Sequence, residues 1–214
     1  MEKFMKKSKK YAFTTLELMV VIAAIAVLAS IILPAFGKVK RSMYMNQSKI
    51  QFNRYVFALN AYYREYGCFP KIVGQDTPLA LETIISLDAE KSANLIRALS
   101  AKEIDGLSPL ETSSEYLNPN GIPFLEFSDD DFQKNSDGTC NRARLADRFN
   151  NTDIKLVVES DAATDGDVLI PQSVFNAYPT IKEKVPDSGL REKVAIFTIG
   201  DGNKSLDVVS WKVE

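Results

Sequence analysis

The chain of 214 residues carries 26 Lys and Arg against 28 Asp and Glu, and it contains no histidine. The length allows one domain or two small ones, and 45% hydrophobic with 25% charged residues is typical of a globular protein. The missing histidine excludes Ser-His-Asp triads, Cys-His dyads, and zinc or haem held by histidine. Two distant cysteines, Cys68 and Cys140, exclude a four-cysteine zinc site and a thioredoxin-type pair. The remaining possibilities are catalysis by carboxylates, a metal site with oxygen ligands, or a function that involves no chemical reaction.

The N-terminal region combines a basic leader with an apolar run. Five of the first ten residues are lysines, and the run from Leu16 to Phe36 contains Glu17 as its only charged residue. A helix of about 20 apolar residues spans the ~30 Å of hydrocarbon in a bilayer, so the run predicts a single transmembrane helix. The preceding lysines predict a cytoplasmic N terminus, with the remaining chain outside. A cleaved secretory signal is the alternative interpretation, although its apolar stretch would be shorter.

Glu17 is the most informative residue of this run. An unpaired carboxylate near the start of a membrane helix costs on the order of a few kcal/mol, so it requires a cationic partner at the same depth. The apolar run itself contains no basic residue. A cut just before the run would create an α-amine, and a neighbouring subunit would then present that amine to Glu17.

The segment Lys-Lys-Tyr-Ala followed by Phe13–Leu18 resembles the class III prepilin signal of type IV pilins and type II secretion pseudopilins. In that family a short basic leader is removed before Phe or Met, the new N terminus is methylated, and a Glu stands fifth. The resemblance implies cleavage between Ala12 and Phe13, N-methylation of Phe13, and an assembly role for Glu17. It also places Pro34 where many family members kink.

Beyond Gly37 the helical pattern continues and becomes amphipathic. Six apolar residues recur at helical spacing: Met45, Phe52, Val56, Leu59, Tyr63 and Tyr66. Gly67 is the expected C-cap, so we predict one helix from about residue 15 to 66, with a kink or local melting at Pro34. We interpret the apolar stripe as core packing against a sheet.

The rest of the chain predicts short helices and then strands. The predicted helices cover residues 79–87 and 90–101. Predicted strands cover residues 122–127, 154–159, 167–170, 194–199 and 208–213. The fold class is therefore α+β: a long N-terminal helix, with a transmembrane half and an amphipathic half, packed on a C-terminal antiparallel β-sheet, as in pilins.

These elements divide the chain into five consecutive parts. They are the leader (1–12), the transmembrane helix (13–36), the amphipathic helix (37–67), a variable insert with short helices (68–146) and the C-terminal β-sheet region (147–214).

A second resemblance lies near the C terminus. Val194–Gly202, followed by Asp207–Trp211, is similar to the end of the major pseudopilin, where a strand precedes Gly-Asp-Gly and then Asp-Ile-x-x-Trp. Asp147–Asn151 resembles a degraded form of the family's Asp-Pro-Trp-Gly-Asn. In that family the C-terminal loop binds a calcium ion, so the resemblance implies calcium as a cofactor here.

The chemistry of this loop also suits calcium. Oxygen-bearing side chains occupy alternate positions, a spacing that lets a tight loop direct them at one hard cation. The candidate ligands are Thr198, Asp201, Asn203, Ser205 and Asp207. The alternative interpretation is an ordinary solvated hairpin loop rich in Asp and Asn.

The two cysteines are expected outside the cytoplasm, where disulfides form. Cys68 and Cys140 therefore either form a disulfide or remain two unpaired thiols, and the sequence leaves both alternatives open.

The predicted function is structural. The chain is expected to be a pseudopilin-like subunit of a type II secretion or type IV pilus system, assembling into a fibre through its N-terminal helix, and not an enzyme. Expected partners are further copies, other pseudopilins, a prepilin peptidase, an inner-membrane assembly platform and membrane lipid. The expected location is the inner membrane, single-pass, with a periplasmic or fibre-borne C-terminal domain. Removal of the lysine-rich leader leaves an acidic chain, which argues against nucleic acid as a partner.

Two other functions are weighed against this one. A minor pilin would act as an adhesin or recognise a substrate through the insert. A membrane-tethered carboxylate hydrolase would have to use Asp129, Asp130 and Asp131, whose consecutive positions point in different directions.

Overall fold

The computed structural model describes residues 14–72, 84–109, 117–158, 170–200 and 206–213, without the side chains of residues 31–35. The helices are α1 (Thr15–Tyr66), α2 (Ala89–Ser100) and α3 (Pro179–Lys182). The strands are β1 (Ile85–Ser86), β2 (Phe132–Lys134), β3 (Cys140–Leu145), β4 (Ile154–Val158), β5 (Val194–Thr198) and β6 (Val208–Val209). Two 3-10 turns lie at Asp129–Asp131 and Gln172–Ala177. The mixture of helices and antiparallel sheets confirms the α+β class.

The chain forms two compact units, which meet within α1 between Met43 and Tyr44. The first unit contains the N-terminal part of α1. Its apolar side chains are exposed: Leu16 is 72% exposed, Leu28 60% and Phe36 68%. The helix continues through Pro34 without a break, so of the kink or local melting expected there the melting does not occur.

The predicted location in a membrane is not supported. Among the residues that the structure describes, no helix combines the length and the apolar character needed to cross a bilayer. The expected single-pass inner-membrane location, with a cytoplasmic N terminus and a periplasmic C-terminal domain, is therefore contradicted.

The second unit is built around a four-stranded antiparallel sheet with the order β1-β4-β5-β6. Strands β4 and β5 pair along their whole length, from Ile154 opposite Thr198 to Val158 opposite Val194. Strands β2 and β3 form a separate antiparallel hairpin.

Alternate residues of the central strands enter two different cores. Leu156 and Ile196 pack with α1 and α2, in a cluster that includes Phe52, Tyr55 and Leu99. Their neighbours Val157 and Phe197 pack on the other face, with Phe175 and Trp211. Because side chains alternate across a strand, apolar residues on both faces require cover on both faces, and the sheet becomes a buried middle layer.

Several predicted elements need correction. Helix α2 confirms the helix predicted at residues 90–101, and Gly67, with φ of 72°, closes α1 as predicted. Residues 85–86 form β1 instead of continuing a helix. Residues 122–127 form no strand, and β6 covers only Val208–Val209 of the strand predicted at 208–213. Of residues 167–170, only Ile170 is described, in an isolated bridge to Leu190.

Candidate functional site

Glu17 lies in the first turn of α1, where it forms a reciprocal cap with Thr14. Its Oε2 accepts hydrogen bonds from the Thr14 backbone N–H and hydroxyl, both at 2.9 Å. The Glu17 backbone N–H donates in turn to Thr14 Oγ1 at 3.2 Å. This arrangement is a capping box, which satisfies donors that the first turn would otherwise leave unpaired.

The cap has an electrostatic consequence for Glu17. Hydrogen bonds from the Thr14 backbone and then its side chain favour the ionised form and lower the pKa of the carboxyl group. Its negative charge also stands at the positive end of the helix dipole. The predicted cleavage and methylation residues, Ala12 and Phe13, lie outside the described residues, as does the side chain of Pro34.

A second polar cluster forms where the Asp147–Asn151 loop meets the end of β5. The buried Asp147 carboxylate accepts from the backbone N–H groups of Phe149 and Asn151 at 2.8 and 2.9 Å. Its other oxygen accepts from the Thr198 hydroxyl at 3.1 Å. Burial nevertheless outweighs these bonds and raises the pKa of Asp147.

Further bonds fasten this loop to its neighbours. The Asn151 side-chain amide donates to the Ile199 carbonyl at 2.8 Å, and the Arg148 backbone N–H donates to the Ser48 hydroxyl of α1 at 3.0 Å. The loop therefore connects α1 to the last residues of β5, next to the predicted calcium loop.

Asp207 lies on the far side of that predicted loop and is also buried. Its Oδ1 accepts from the Gly200 backbone N–H at 3.0 Å. Its Oδ2 has no hydrogen-bond partner but lies 3.6 Å from the Lys184 ammonium, which donates to the Asp207 carbonyl at 3.1 Å. The positive charge of Lys184 therefore already lies beside the Asp207 carboxylate.

Two of the candidate calcium ligands, Thr198 and Asp207, already have partners within the chain. The Thr198 hydroxyl donates its proton to Asp147, and Lys184 occupies the cationic position next to Asp207. Within the ranges that the structure describes, no group of three or more Cys, Asp or Glu residues is placed to hold a metal. The other predicted ligands, Asp201, Asn203 and Ser205, lie outside those ranges.

Sequence reasoning missed Lys184 and the role of Asp147. In the sequence Asp147 belongs to the degraded motif Asp147–Asn151, and the local signal for its role is its place in a turn-rich segment before β4. Lys184 carries no local signal, because its contact with Asp207 joins residues 23 positions apart.

The acidic run considered for hydrolase chemistry is occupied by ion pairs. Asp129 pairs with Arg142 at 2.7 Å, and Asp130 pairs with Lys134 and Arg148 at 2.7 and 3.0 Å. The third member, Asp131, is buried and accepts from the Ser128 backbone N–H at 2.8 Å. The three carboxylates thus engage different partners, as their consecutive positions predict.

The two cysteines are free thiols in the structure. Cys68 is exposed just after α1, and the partly buried Cys140 begins β3. The sequence left open a disulfide or two unpaired thiols, and in the structure both thiols are unpaired.

Comparison with protein-family models, with curated proteins and with solved structures finds no match to this chain. The similarity to pilins therefore depends on the two motifs given above.

Proposed function

We propose that this protein is a structural subunit, pseudopilin-like, that assembles with further copies into a fibre through the N-terminal part of α1. Its processing partner is a prepilin peptidase that cuts before Phe13. The motif Phe13–Leu18 and the exposed apolar helix that follows it support this function together.

The observation that carries the proposal is the exposure of the apolar side chains on every side of the helix in the first unit. Nine residues between Leu16 and Leu28 are between 49% and 72% exposed: Leu16, Leu18, Met19, Val20, Val21, Ile22, Ile25, Val27 and Leu28. A helix that is apolar all round is stable only when it is covered all round. One docking partner covers one side, whereas several neighbouring helices in a fibre cover all sides.

Glu17 has a defined part in this assembly. In the fibre its carboxylate pairs with the Phe13 amine of a neighbouring copy and sets the register between the two helices. The pair is worth more away from water than at a surface, because the lower dielectric strengthens the attraction and penalises an unpaired charge. The hydrogen bonds from Thr14 support this role, since they keep the carboxylate ionised.

Intact-mass analysis of the chain recovered from producing cells tests the proposal. We expect a mass that lacks residues 1–12 and includes one additional methyl group. Electron microscopy with an antibody against the second unit should then locate the processed chain in filaments. A chain that still begins with its leader, or that begins beyond Phe36, would overturn the proposed function.

A further inference from the structure

The part of α1 in the second unit has two opposite faces with different environments. One face is core, with Phe52, Tyr55 and Leu59 fully buried. On the other face Ile50 is 61% exposed and Phe57 is 74% exposed. Large exposed apolar side chains that recur on one helix face mark an interaction surface more often than isolated ones do.

The exposed residues follow a heptad. Ile50 and Phe57 are seven residues apart. Asn46, Asn53 and Asn60 also repeat every seven residues, and each of the two apolar residues lies between two of these asparagines. The successive spacings are four, three, four and three, the pattern of the a and d positions of a coiled coil. Asn46 and Asn53 are exposed, and Asn60 is partly so. We call these five residues the α1 seam.

The alternation of apolar residues and asparagine points to a particular partner. An apolar groove would leave the three side-chain amides without hydrogen bonds, whereas a second identical seam presents an amide opposite each amide. Asparagine at such positions lowers stability but fixes register, because a shift by three or four positions places amides against apolar side chains, and a shift by seven leaves the end residues of the seam unpaired. The surface is therefore complementary to itself when the two helices are parallel and unshifted.

The surface beside the seam has room for the side chains of a second helix. A hollow of about 390 Å3 is lined by Ile50, Asn53, Arg54, Phe57, Phe124 and Leu125. Such a hollow next to protruding apolar residues is the complement that knobs-into-holes packing requires. Phe57 is the more exposed of the two apolar seam residues and is therefore the expected knob.

Cations at the edges of the seam are compensated by acids of the same chain. The Arg54 guanidinium lies 3.7 Å from Asp131 and donates to the Glu126 carbonyl at 2.8 Å. On the other edge Lys49 interacts electrostatically with Glu192. Two copies consequently approach each other with little repulsion between like charges.

We propose that the α1 seam binds a second copy of this chain, with the two helices parallel and in register. This contact lies in the second unit and does not depend on the fibre function proposed for the N-terminal part of α1. Only two of the five seam positions are apolar, so the association is weak and depends on concentration.

Cysteine cross-linking of the full chain tests this proposal directly. Cys68 and Cys140 are first replaced by serine, and single variants Asn46→Cys, Asn53→Cys and Asn60→Cys are then oxidised under mild conditions. Leu107→Cys is the matched control, because Leu107 is 87% exposed and belongs to a loop outside α1. Non-reducing electrophoresis measures the fraction of covalent dimer.

All three seam variants should give at least about fivefold more dimer than the control. Adding Phe57→Asp to the Asn53→Cys variant should reduce its dimer to the control level, and adding Leu107→Asp should not. Cross-linking by Asn53→Cys alone would indicate antiparallel helices and overturn the proposed register. Dimer yields at the control level in all three variants would overturn the proposal.

The fibre function is tested separately in the same background. Glu17→Ala added to Asn53→Cys should leave the cross-link unchanged while filaments are lost. A cross-link that disappears with the filaments would show a contact made only inside the fibre and would overturn the independent seam.

Discussion

Thr198 and Asp147 are 51 residues apart in the chain, and the Thr198 hydroxyl donates a 3.1 Å hydrogen bond to Asp147 inside the protein. This bond joins the end of β5 to the loop that precedes β4, which is the strand paired with β5. It therefore holds the loop before β4 against the end of β5, at the end of the strand pair where Ile154 lies opposite Thr198. The residue predicted as a calcium ligand serves here as a donor to a buried carboxylate.

Thr198→Val should lower the free energy of unfolding by about 1–3 kcal/mol, because it removes one of three donors from a buried carboxylate. Urea unfolding followed by circular dichroism measures the change. Thr139→Val is the control: its hydroxyl donates to Asp137 at 2.6 Å on the exposed surface. The control should change stability by less than about 0.5 kcal/mol. Equal losses in both variants would contradict the assigned role of Thr198.

Asp147 predicts a pH dependence of stability with a defined sign. Burial raises its pKa in the folded state above the ordinary value of 3.8, so the folded protein holds this proton more tightly than the unfolded chain. Its contribution to stability is therefore present at low pH and is lost as the pH rises from about 3.8 through the higher folded pKa. Asp147→Asn should gain stability relative to the wild type over that interval.

Asp137 provides a control of opposite sign for this titration. Hydrogen bonds from Thr139 lower the pKa of the exposed Asp137, so its contribution is present at higher pH and is lost as the pH falls. Asp137→Asn should consequently lose stability relative to the wild type as the pH rises. Unfolding measured between pH 3 and pH 7, roughly the range over which carboxyl groups titrate, compares the two variants. The same slope in both would contradict the environment assigned to Asp147.

Asp207→Ala should destabilise the protein without any calcium, because the Gly200 N–H loses its acceptor and the Lys184 ammonium loses the nearby carboxylate. We expect a loss of about 1–3 kcal/mol, measured in a chelator. Asp187→Ala, at an exposed aspartate, is the control and should be nearly neutral. If Asp207→Ala were harmless in chelator and destabilising only with added calcium, a cation would replace Lys184 as the partner of this carboxylate.

Glu17→Gln and Glu17→Ala separate the two roles of Glu17. Glutamine keeps a side-chain oxygen for the Thr14 cap but removes the charge, whereas alanine removes both. If pairing with a neighbouring amine sets the fibre register, both variants should be processed normally and neither should form filaments. Electron microscopy and intact mass give the two readouts. Filaments from Glu17→Gln but not from Glu17→Ala would assign the effect to the helix cap.

Local signals in the sequence predicted the elements whose stabilising bonds are local. Helix α2 was predicted from its pattern, and it begins where the Asp88 side chain accepts from the Lys91 backbone N–H three residues later. Residues 122–127 alternate as a strand does, but the backbone N–H groups of Phe124 and Leu125 both donate to the Leu99 carbonyl. Those bonds come from another part of the chain, so alternation alone misassigned the segment.

The candidate site was less predictable for the same reason. The sequence identified Asp207 and Thr198 as polar residues around a loop, but their partners Lys184 and Asp147 are 23 and 51 positions away. Residue type and spacing show which positions carry a side-chain oxygen. The fold determines whether a cation or a hydrogen-bond donor lies next to that oxygen. The contact between Lys184 and Asp207 leaves no pattern in the sequence.

When one face of a sheet is exposed to solvent, sliding a strand by one residue moves its buried apolar side chains into water. A sheet covered on both faces lacks this penalty. In β4 Leu156 packs in one core and Val157 in the other, so a slip by one position would exchange these two residues at little hydrophobic cost. Lys155 is the exception, because its ammonium donates to the Ser86 hydroxyl at 2.8 Å and pairs with Asp153. Moved by one place, that charge would enter the aromatic core beneath α1, so this lysine opposes a one-residue slip of β4.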